Sequence, residues 1–291
     1  MLRQLAITRR ILFDAFGHFD VADGWALASH VALSTLLAIF PFLIFATTLA
    51  TFLGADQFAE DAVHIVFDTW PDRIADPIAR EVTNVLTVQR GGLLTVSVIA
   101  AAVFASNGIE ALRIALNRAY RVNETRSIVF TRLQSLGFVV VATLGFMAIS
   151  FLLILAPLAF RITEQYLPGI DTLSFSIGFW RYVIALIVLI TGLLVVHKWL
   201  PAGKRSFKSL LPGIAVTIAA WVAGASLFAA YLERFASYVT TYAGLASIMI
   251  ALVFLYIIAA IFILGAEINA AIIRYRGARA AISQAAGNPA I

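Results

Sequence analysis

The chain has 291 residues, of which 62% are hydrophobic and only 13% are charged, and its mean hydropathy is +0.94. Soluble domains carry roughly 25% charged residues, so this composition argues against a soluble protein and predicts one that lies in a bilayer. The chain has no cysteine, which excludes disulfides, thiolate metal sites and thiol nucleophiles. The net charge of +5 would suit nucleic acid, but in a membrane protein the side on which charges lie matters more than their sum.

Six runs are long enough to cross a membrane as helices, for which about 20 mainly apolar residues are needed. They cover residues 26–53, 91–109, 133–160, 179–200, 210–232 and 245–273. The first is too long for the apolar part of a signal peptide, and a polar segment precedes it. The predicted fold is therefore all-α, a polytopic membrane protein forming a single integral membrane domain over 1–291 with a bundle of six transmembrane helices.

The basic residues predict the orientation of this bundle. One side of the predicted membrane carries 15 Lys and Arg residues, and the other side carries 6. The richer side holds an N-terminal segment 1–25, a basic segment 110–132, the connection between the fourth and fifth spans, and a C-terminal tail 274–291. The excess of basic residues on this side places both termini in the cytoplasm.

The long external segment 54–90 fits two short amphipathic helices. In the second of them Asp76 suits the N-cap and Pro77 the first helical position. Such helices either cap the bundle or lie on the outer leaflet.

The last span carries an ionisable residue, Glu267, and an amide, Asn269. A carboxylate in the bilayer is costly, so we expect Glu267 to face the bundle interior and to have a partner. That partner is either Arg274 or a residue on another helix, or else the carboxyl stays protonated. The site is then either a clasp between helices, helped by the small residue Gly265, or part of a polar path for transport. The other candidates for the path are Asn107, Glu110 and Asn117.

Five arginines near the end of the second span are candidate contacts for anionic lipid headgroups: Arg113, Arg118, Arg121, Arg126 and Arg132. The alternative is that they reflect only the usual excess of basic residues in the cytoplasm.

No pattern in the sequence predicts an enzyme. The four histidines are scattered without HExxH spacing, so no metal site is expected, and His30 and His197 are interpreted as interfacial residues. Motifs for nucleotide binding and for serine hydrolysis are absent, and we expect no cofactor. Pro41 lies in the middle of the first span, where it predicts a kink.

Four stretches together resemble the YihY/BrkB family of bacterial inner-membrane proteins. They are 26-ALASHVALSTLLAIFPFLIF-45, 117-NRAYRV-122, 238-YVTTYAGLASIMIALVFLY-256 and 265-GAEINA-270. The resemblance implies an inner (plasma) membrane protein with six helices and two cytoplasmic termini. It also implies structural roles for the residues of these motifs, which are Pro41, Tyr120, Tyr238, Tyr242, Gly244 and Gly265.

The sequence and the resemblance together favour transport, export or flipping of a lipid or other envelope component. The alternative is a scaffold for envelope assembly that transports nothing. Family members also carry the labels virulence factor BrkB and ribonuclease BN, but a ribonuclease would need a base or metal cluster that this sequence lacks. The expected partner is the lipid bilayer, including anionic lipids, and not nucleic acid.

Overall fold

The computed structural model of the chain describes residues 2–52, 94–150, 171–234 and 243–287. These ranges contain helices and no strand, which confirms the predicted all-α fold. The helices are α1 (Leu2–Val21), α2 (Gly24–Phe52), α3 (Leu94–Ala119), α4 (Ile128–Ser150), α5 (Asp171–Trp199), α6 (Phe207–Arg234) and α7 (Ala243–Gly287). The two amphipathic helices predicted within 54–90, and the motif residues Tyr238 and Tyr242, lie outside the described residues.

Five of these helices are long and apolar enough to cross a membrane. The qualifying stretches are Ile99–Ala119, Ile128–Gly145, Phe179–Trp199, Phe207–Leu232 and Ile248–Arg279. A sixth is formed by Ala6–Val21 and Gly24–Ile39 if that pair, bent by 68°, is taken as one span. At most a third of the residues in the most apolar part of each of these five spans are buried, and many of their large apolar side chains are exposed, as they are in lipid.

The helices pack around α7. α7 contacts α6, α2, α1 and α3, and the series α2, α3, α4, α5, α6 is joined by successive contacts. Glu267 of α7, the α3–α4 connection (120–127) and the α5–α6 connection (200–206) meet at one end of the bundle. We call this the basic end.

Helix α1 was not predicted, because residues 1–25 were treated as a polar segment. Ala15 and Phe19 of α1, and Ala22 just after it, are buried and recur at the spacing of one helix face. The polar residues around them hide that pattern from a search for spans. α1 and α2 are separated by a sharp turn, in which Asp23 has a φ of 58°. Gly24 is required at this turn because a Cβ there would lie 2.6 Å from the Phe19 ring.

Two other helices continue beyond the predicted spans. α7 continues to Gly287 and has 45 residues, so the predicted tail 274–291 is largely a continuation of the last span. α3 runs unbroken to Ala119, which confirms that the second span extends beyond its apolar part. Pro41 lies within a continuous α2, and Gly244 lies in the first turn of α7.

Candidate functional site

Glu267 lies in the interior of the basic end and is 1% exposed. Its Oε1 is 2.8 Å from Nδ1 of His18 on α1, which donates the hydrogen bond when the carboxylate is ionised. Its Oε2 lies 3.9 Å from Nη2 of Arg121 and makes no hydrogen bond within the described residues. The partners of Glu267 are therefore on α1 and just after α3.

Arg121 reaches this carboxylate because the chain turns sharply after α3. Arg121 has a φ of 58°, a conformation that is uncommon for residues other than glycine and costs free energy. Its Nη2 also donates to Oδ2 of Asp14 at 3.1 Å, and Oδ1 of Asp14 is 3.7 Å from Nη1 of Arg274. Arg274, one of the expected partners of Glu267, thus pairs with Asp14. We call these five residues (Asp14, His18, Arg121, Glu267 and Arg274) the carboxylate cluster.

Asn269 faces another side of α7, because two residues along a helix turn by about 200°. Its Oδ1 accepts from the backbone N–H of Gly213 on α6 at 2.7 Å. Its Nδ2 donates to the hydroxyl of Tyr120 at 3.5 Å, and that hydroxyl is 2.8 Å from Nδ1 of His197 on α5. This second group, which we call the amide chain, joins α5, α6 and α7 to the residue that follows α3.

The amide chain depends on a close approach of α6 and α7. A Cβ at Gly213 would overlap the carbonyl oxygen of Gly265, and a Cβ at Gly265 would overlap Oγ1 of Thr217. Thr217 is itself buried and donates to the carbonyl of Gly213 at 2.9 Å. Gly265 and Asn269 thus make the packing expected of a clasp between helices, whereas Glu267 belongs to a different contact.

His197 and Tyr120 are buried, although His197 was expected at an interface. The ring of His197 packs against Phe262 with centroids 4.7 Å apart, and its Nε2 makes no hydrogen bond among the described residues. The guanidinium of Arg205 lies 4.1 Å from the centre of the Tyr120 ring, a cation–π contact. Burial raises the pKa of Tyr120 above its usual value and lowers that of Arg205, so the Tyr120 hydroxyl keeps its proton at neutral pH.

A third polar group surrounds Arg113, which is 6% exposed. Its guanidinium forms ion pairs with Glu110 and with Glu124. Arg126 also pairs with Glu124, with Nη2 to Oε2 at 2.7 Å. Mainly through its hydrogen bond with Arg126, the pKa of Glu124 is held below its usual value. Arg113 therefore lies inside an ion-pair network, too deep for the headgroup contact that the sequence suggested.

The remaining predicted residues occupy separate places. Asn117 is buried, accepts from the N–H of Ala202 at 2.7 Å and donates to Glu124 at 3.1 Å. Arg118 and Arg132 are exposed, and Nη1 of Arg132 donates to Oδ1 of Asn107 at 2.8 Å. Glu267 lies in the carboxylate cluster and Asn269 in the amide chain, whereas Asn107 and Glu110 line one crevice beside α2, so the five predicted path residues do not form a single path.

Sequence reasoning missed Asp14 and His18 of the carboxylate cluster. Both precede the first apolar run, and their partners are far away in the sequence. The signal that would have found them is the helical spacing of Ala15, Phe19 and Ala22, since Asp14 and His18 lie beside that buried face.

In the described part of the chain, no three His, Asp or Glu side chains are grouped closely enough to hold a metal ion. The fold and the site define a multi-pass helical membrane protein in which a buried carboxylate of the last described helix pairs with a histidine of the first. The family model of virulence factor BrkB matches residues 15–289, and the chain belongs to that family.

Two relatives extend over most of the chain. The ribonuclease-like protein YfkH of Bacillus subtilis is 29% identical over 260 residues, which are 89% of this chain and 94% of that protein. A UPF0761 membrane protein of Alteromonas mediterranea is 24% identical over 248 residues, 82% of this chain and 80% of the relative. No solved structure matches the chain.

Proposed function

We propose that this protein transports, exports or flips a lipid or other envelope component at the bacterial inner membrane, without enzymatic activity. The observation that carries the proposal is the buried carboxylate Glu267 of α7, which pairs with His18 of α1 through one oxygen, while its other oxygen makes no hydrogen bond to any described residue. Ionisable groups inside membrane bundles are costly and are usually found where ions, protons or substrates act.

The incomplete pairing of this carboxylate favours a site that changes state. Oε2 of Glu267 and Nε of Arg121 both lack hydrogen-bond partners among the described residues, and the two side chains approach only to 3.9 Å. A buried ion pair without full hydrogen bonding adds little to stability. The pair of Glu267 and Arg121 therefore holds the end of α3 only weakly, and either side chain can take another partner when the site changes state.

The turn before α2 supports the same proposal. α1 ends at Val21 and α2 begins at Gly24, so α1 can swing about residues 22 and 23 without breaking a helix. Hinges of this kind are a few residues at element ends that absorb changes in φ and ψ. We propose that opening of the carboxylate cluster and movement of α1 accompany substrate passage.

The distribution of charge supports the proposed orientation and partner. The basic residues of the connections at the basic end favour a cytoplasmic location for both termini, and they attract anionic lipid headgroups. This same asymmetry explains the basic net charge without a nucleic-acid partner. The ribonuclease-like name belongs to the Bacillus subtilis relative, and we propose no such activity for this chain.

Reconstitution into vesicles tests the proposal. The purified protein is placed in vesicles of inner-membrane lipids that contain a fluorescent phospholipid, and reduction of the outer-leaflet dye measures movement between leaflets. We expect the wild type to accelerate this movement and Glu267→Gln to slow it by about tenfold, which corresponds to about 1.4 kcal/mol. The control is Lys208→Gln, because Lys208 is an exposed charged residue at the start of α6, outside both the carboxylate cluster and the α1–α2 turn. The proposal is wrong if folded wild-type protein speeds the movement of no phospholipid in vesicles and supports no export of envelope lipid in cells.

The second candidate function is a scaffold for envelope assembly. The observation that favours it is the exposed apolar face of α1, where Phe13 is 72% exposed beside exposed Leu12 and Phe16. In this case Glu267→Gln lowers the amount of folded protein and no flux changes, and crosslinking in cells captures a protein partner through α1. A crosslinked product that survives only with α1 intact would decide for the scaffold.

A further inference from the structure

A crevice of about 300 Å³ opens between α2, α3 and α4, apart from both the carboxylate cluster and the amide chain. Three helices supply its polar side chains: His30 and Ser34 from α2, Asn107 and Glu110 from α3, and Arg132 from α4. Gly108 of α3 faces α2 at this point, and a Cβ there would lie in ordinary contact with the carbonyl oxygen of Ser34, at 3.8 Å.

The lining changes from polar to apolar along the crevice. His30, Ser34 and Leu37 follow one face of α2 at spacings of four and three residues, with His30 nearest the basic end. α3 runs the opposite way, so Phe104 lies deeper in the bundle than Asn107. Leu37 is 45% exposed and Phe104 is 38% exposed, so the apolar part of the crevice is open to the surrounding lipid.

The polar part of the crevice carries a positive charge. Nη1 of Arg132 donates to Oδ1 of Asn107 at 2.8 Å, which fixes the guanidinium at the crevice, and Arg132 makes no ion pair with any described residue. The one carboxylate in the lining, Glu110, is already paired with Arg113 and accepts from Oγ of Ser135 at 3.4 Å. An anion entering the crevice therefore meets an available cation beside a neutralised acid.

We propose that this crevice is a binding site for an anionic phospholipid, with the phosphate at Arg132 and the acyl chains along Leu37 and Phe104. A guanidinium recognises phosphate oxygens through two parallel N–H donors, and four of the five N–H groups of Arg132 remain after the bond to Asn107. His30 and Ser34 make no hydrogen bonds through their side chains within the described residues and supply further donors. The polarity gradient matches a lipid in the leaflet at the basic end.

This inference does not depend on the proposed function, because a lipid can bind here whether or not the protein moves lipids. Different measurements test the two proposals. Lipid binding by Arg132 variants tests the crevice, and lipid movement between leaflets by the wild type and Glu267→Gln tests the proposed function.

The test is native mass spectrometry of the full chain, stripped of its own lipids in detergent and titrated with phosphatidylglycerol. We expect Arg132→Gln to weaken binding by about tenfold or more, the effect of losing a hydrogen bond to a charged group. Arg132→Lys keeps the charge but not the planar fork, so it should fall between the wild type and Arg132→Gln. The matched control is Lys208→Gln, which removes one exposed positive charge from the start of α6 and should change binding by less than about twofold.

Two further arms identify the ligand. Phosphatidylcholine, which has a phosphate but no net charge, should bind more weakly than phosphatidylglycerol. Soluble glycerol phosphate should fail to displace the lipid, and Phe104→Ala should weaken lipid binding. If Arg132→Gln does not fold, Asn107→Ala replaces it, because that variant releases Arg132 from its position.

Several results would contradict the proposal that this crevice binds an anionic phospholipid. They are unchanged lipid binding by Arg132→Gln, equal loss in Lys208→Gln, equal binding of the two lipids, or displacement by glycerol phosphate at the concentration of the lipid. The last result would mean that the crevice holds a free anion and not a lipid.

Discussion

Nδ1 of His18 and Oε1 of Glu267 are 2.8 Å apart, although 249 positions separate the two residues in the chain. This contact ties α1 to α7 inside the basic end, where Glu267 has almost no access to solvent. It also explains how a carboxylate is accommodated in a long, predominantly apolar helix. A cationic or donor side chain from the first helix and Arg121 from the α3–α4 connection supply the partners that the helix itself lacks.

A double-mutant cycle on this pair should show strong coupling. We expect His18→Ala and Glu267→Gln together to cost less than the sum of the single variants, with a coupling free energy of about 1–3 kcal/mol. Unfolding in mixed detergent micelles, followed by circular dichroism, gives the free energies. Lys208→Gln combined with Glu267→Gln is the control and should be additive within about 0.5 kcal/mol. Additive behaviour of His18 and Glu267 would show that the contact contributes nothing to stability.

The contact between α6 and α7 predicts a strong effect of one methyl group. Gly213→Ala places a Cβ on the carbonyl of Gly265, and overpacking of this kind costs about 1–3 kcal/mol or more. Gly137→Ala is the matched control, since no atom lies within 4 Å of its added Cβ. In α4 that change should be neutral or should stabilise by up to about 1 kcal/mol. Thermal unfolding of both variants compares them, and equal melting temperatures would contradict the close contact.

The Tyr120 hydroxyl should matter because two buried groups depend on it. Tyr120→Phe removes the partner of both Asn269 and His197, and each unsatisfied buried group costs about 1–3 kcal/mol. Tyr256→Phe serves as the comparison, because the Tyr256 hydroxyl makes no hydrogen bond within the described residues. Chemical unfolding gives the free energy of unfolding of each variant. If Tyr120→Phe is as stable as Tyr256→Phe, the hydrogen bonds of the amide chain do not stabilise the protein.

Acid should loosen the α3–α4 connection through Glu124. The pKa of this carboxyl is lowered in the folded protein from a usual value of 4.5, so its contribution to stability is complete above about pH 4.5 and is lost as the pH falls below it. The wild type should lose stability over that range, and Glu124→Gln should show a flatter dependence while being less stable at neutral pH. Melting temperatures between pH 3 and pH 7 test the sign, and parallel curves for the two proteins would contradict it.

The sequence predicted the spans well because each one is decided by its own residues. About 20 apolar residues identify a crossing helix wherever the rest of the chain lies. α1 escaped prediction for the same reason: it is half polar, and its buried face becomes apparent only when α7 is beside it. Its boundary with α2 depends on the fit of Gly24 against Phe19, which no hydropathy pattern contains.

The candidate site was predicted only in part. Glu267 was identified because a lone carboxylate in an apolar run is unusual, but its partners come from α1 and from the turn after α3. Arg113 was assigned to lipid headgroups because basic residues usually face the lipid surface. In the structure it instead forms ion pairs with Glu110 and Glu124, which lie three and eleven residues away in the sequence. Asn107 and Arg132 were assigned to different roles, and the structure brings them together in one crevice.

The tie between α1 and Glu267 sets an order on the assembly of the protein during synthesis. A ribosome that adds about 5–20 residues per second reaches Glu267 roughly 12–50 seconds after His18, a delay of 249 residues. During that interval α1 lacks Glu267 as a partner and can contact only the helices that have already been synthesised. The contact between His18 and Glu267 can therefore form only after α7 has been synthesised and has entered the membrane.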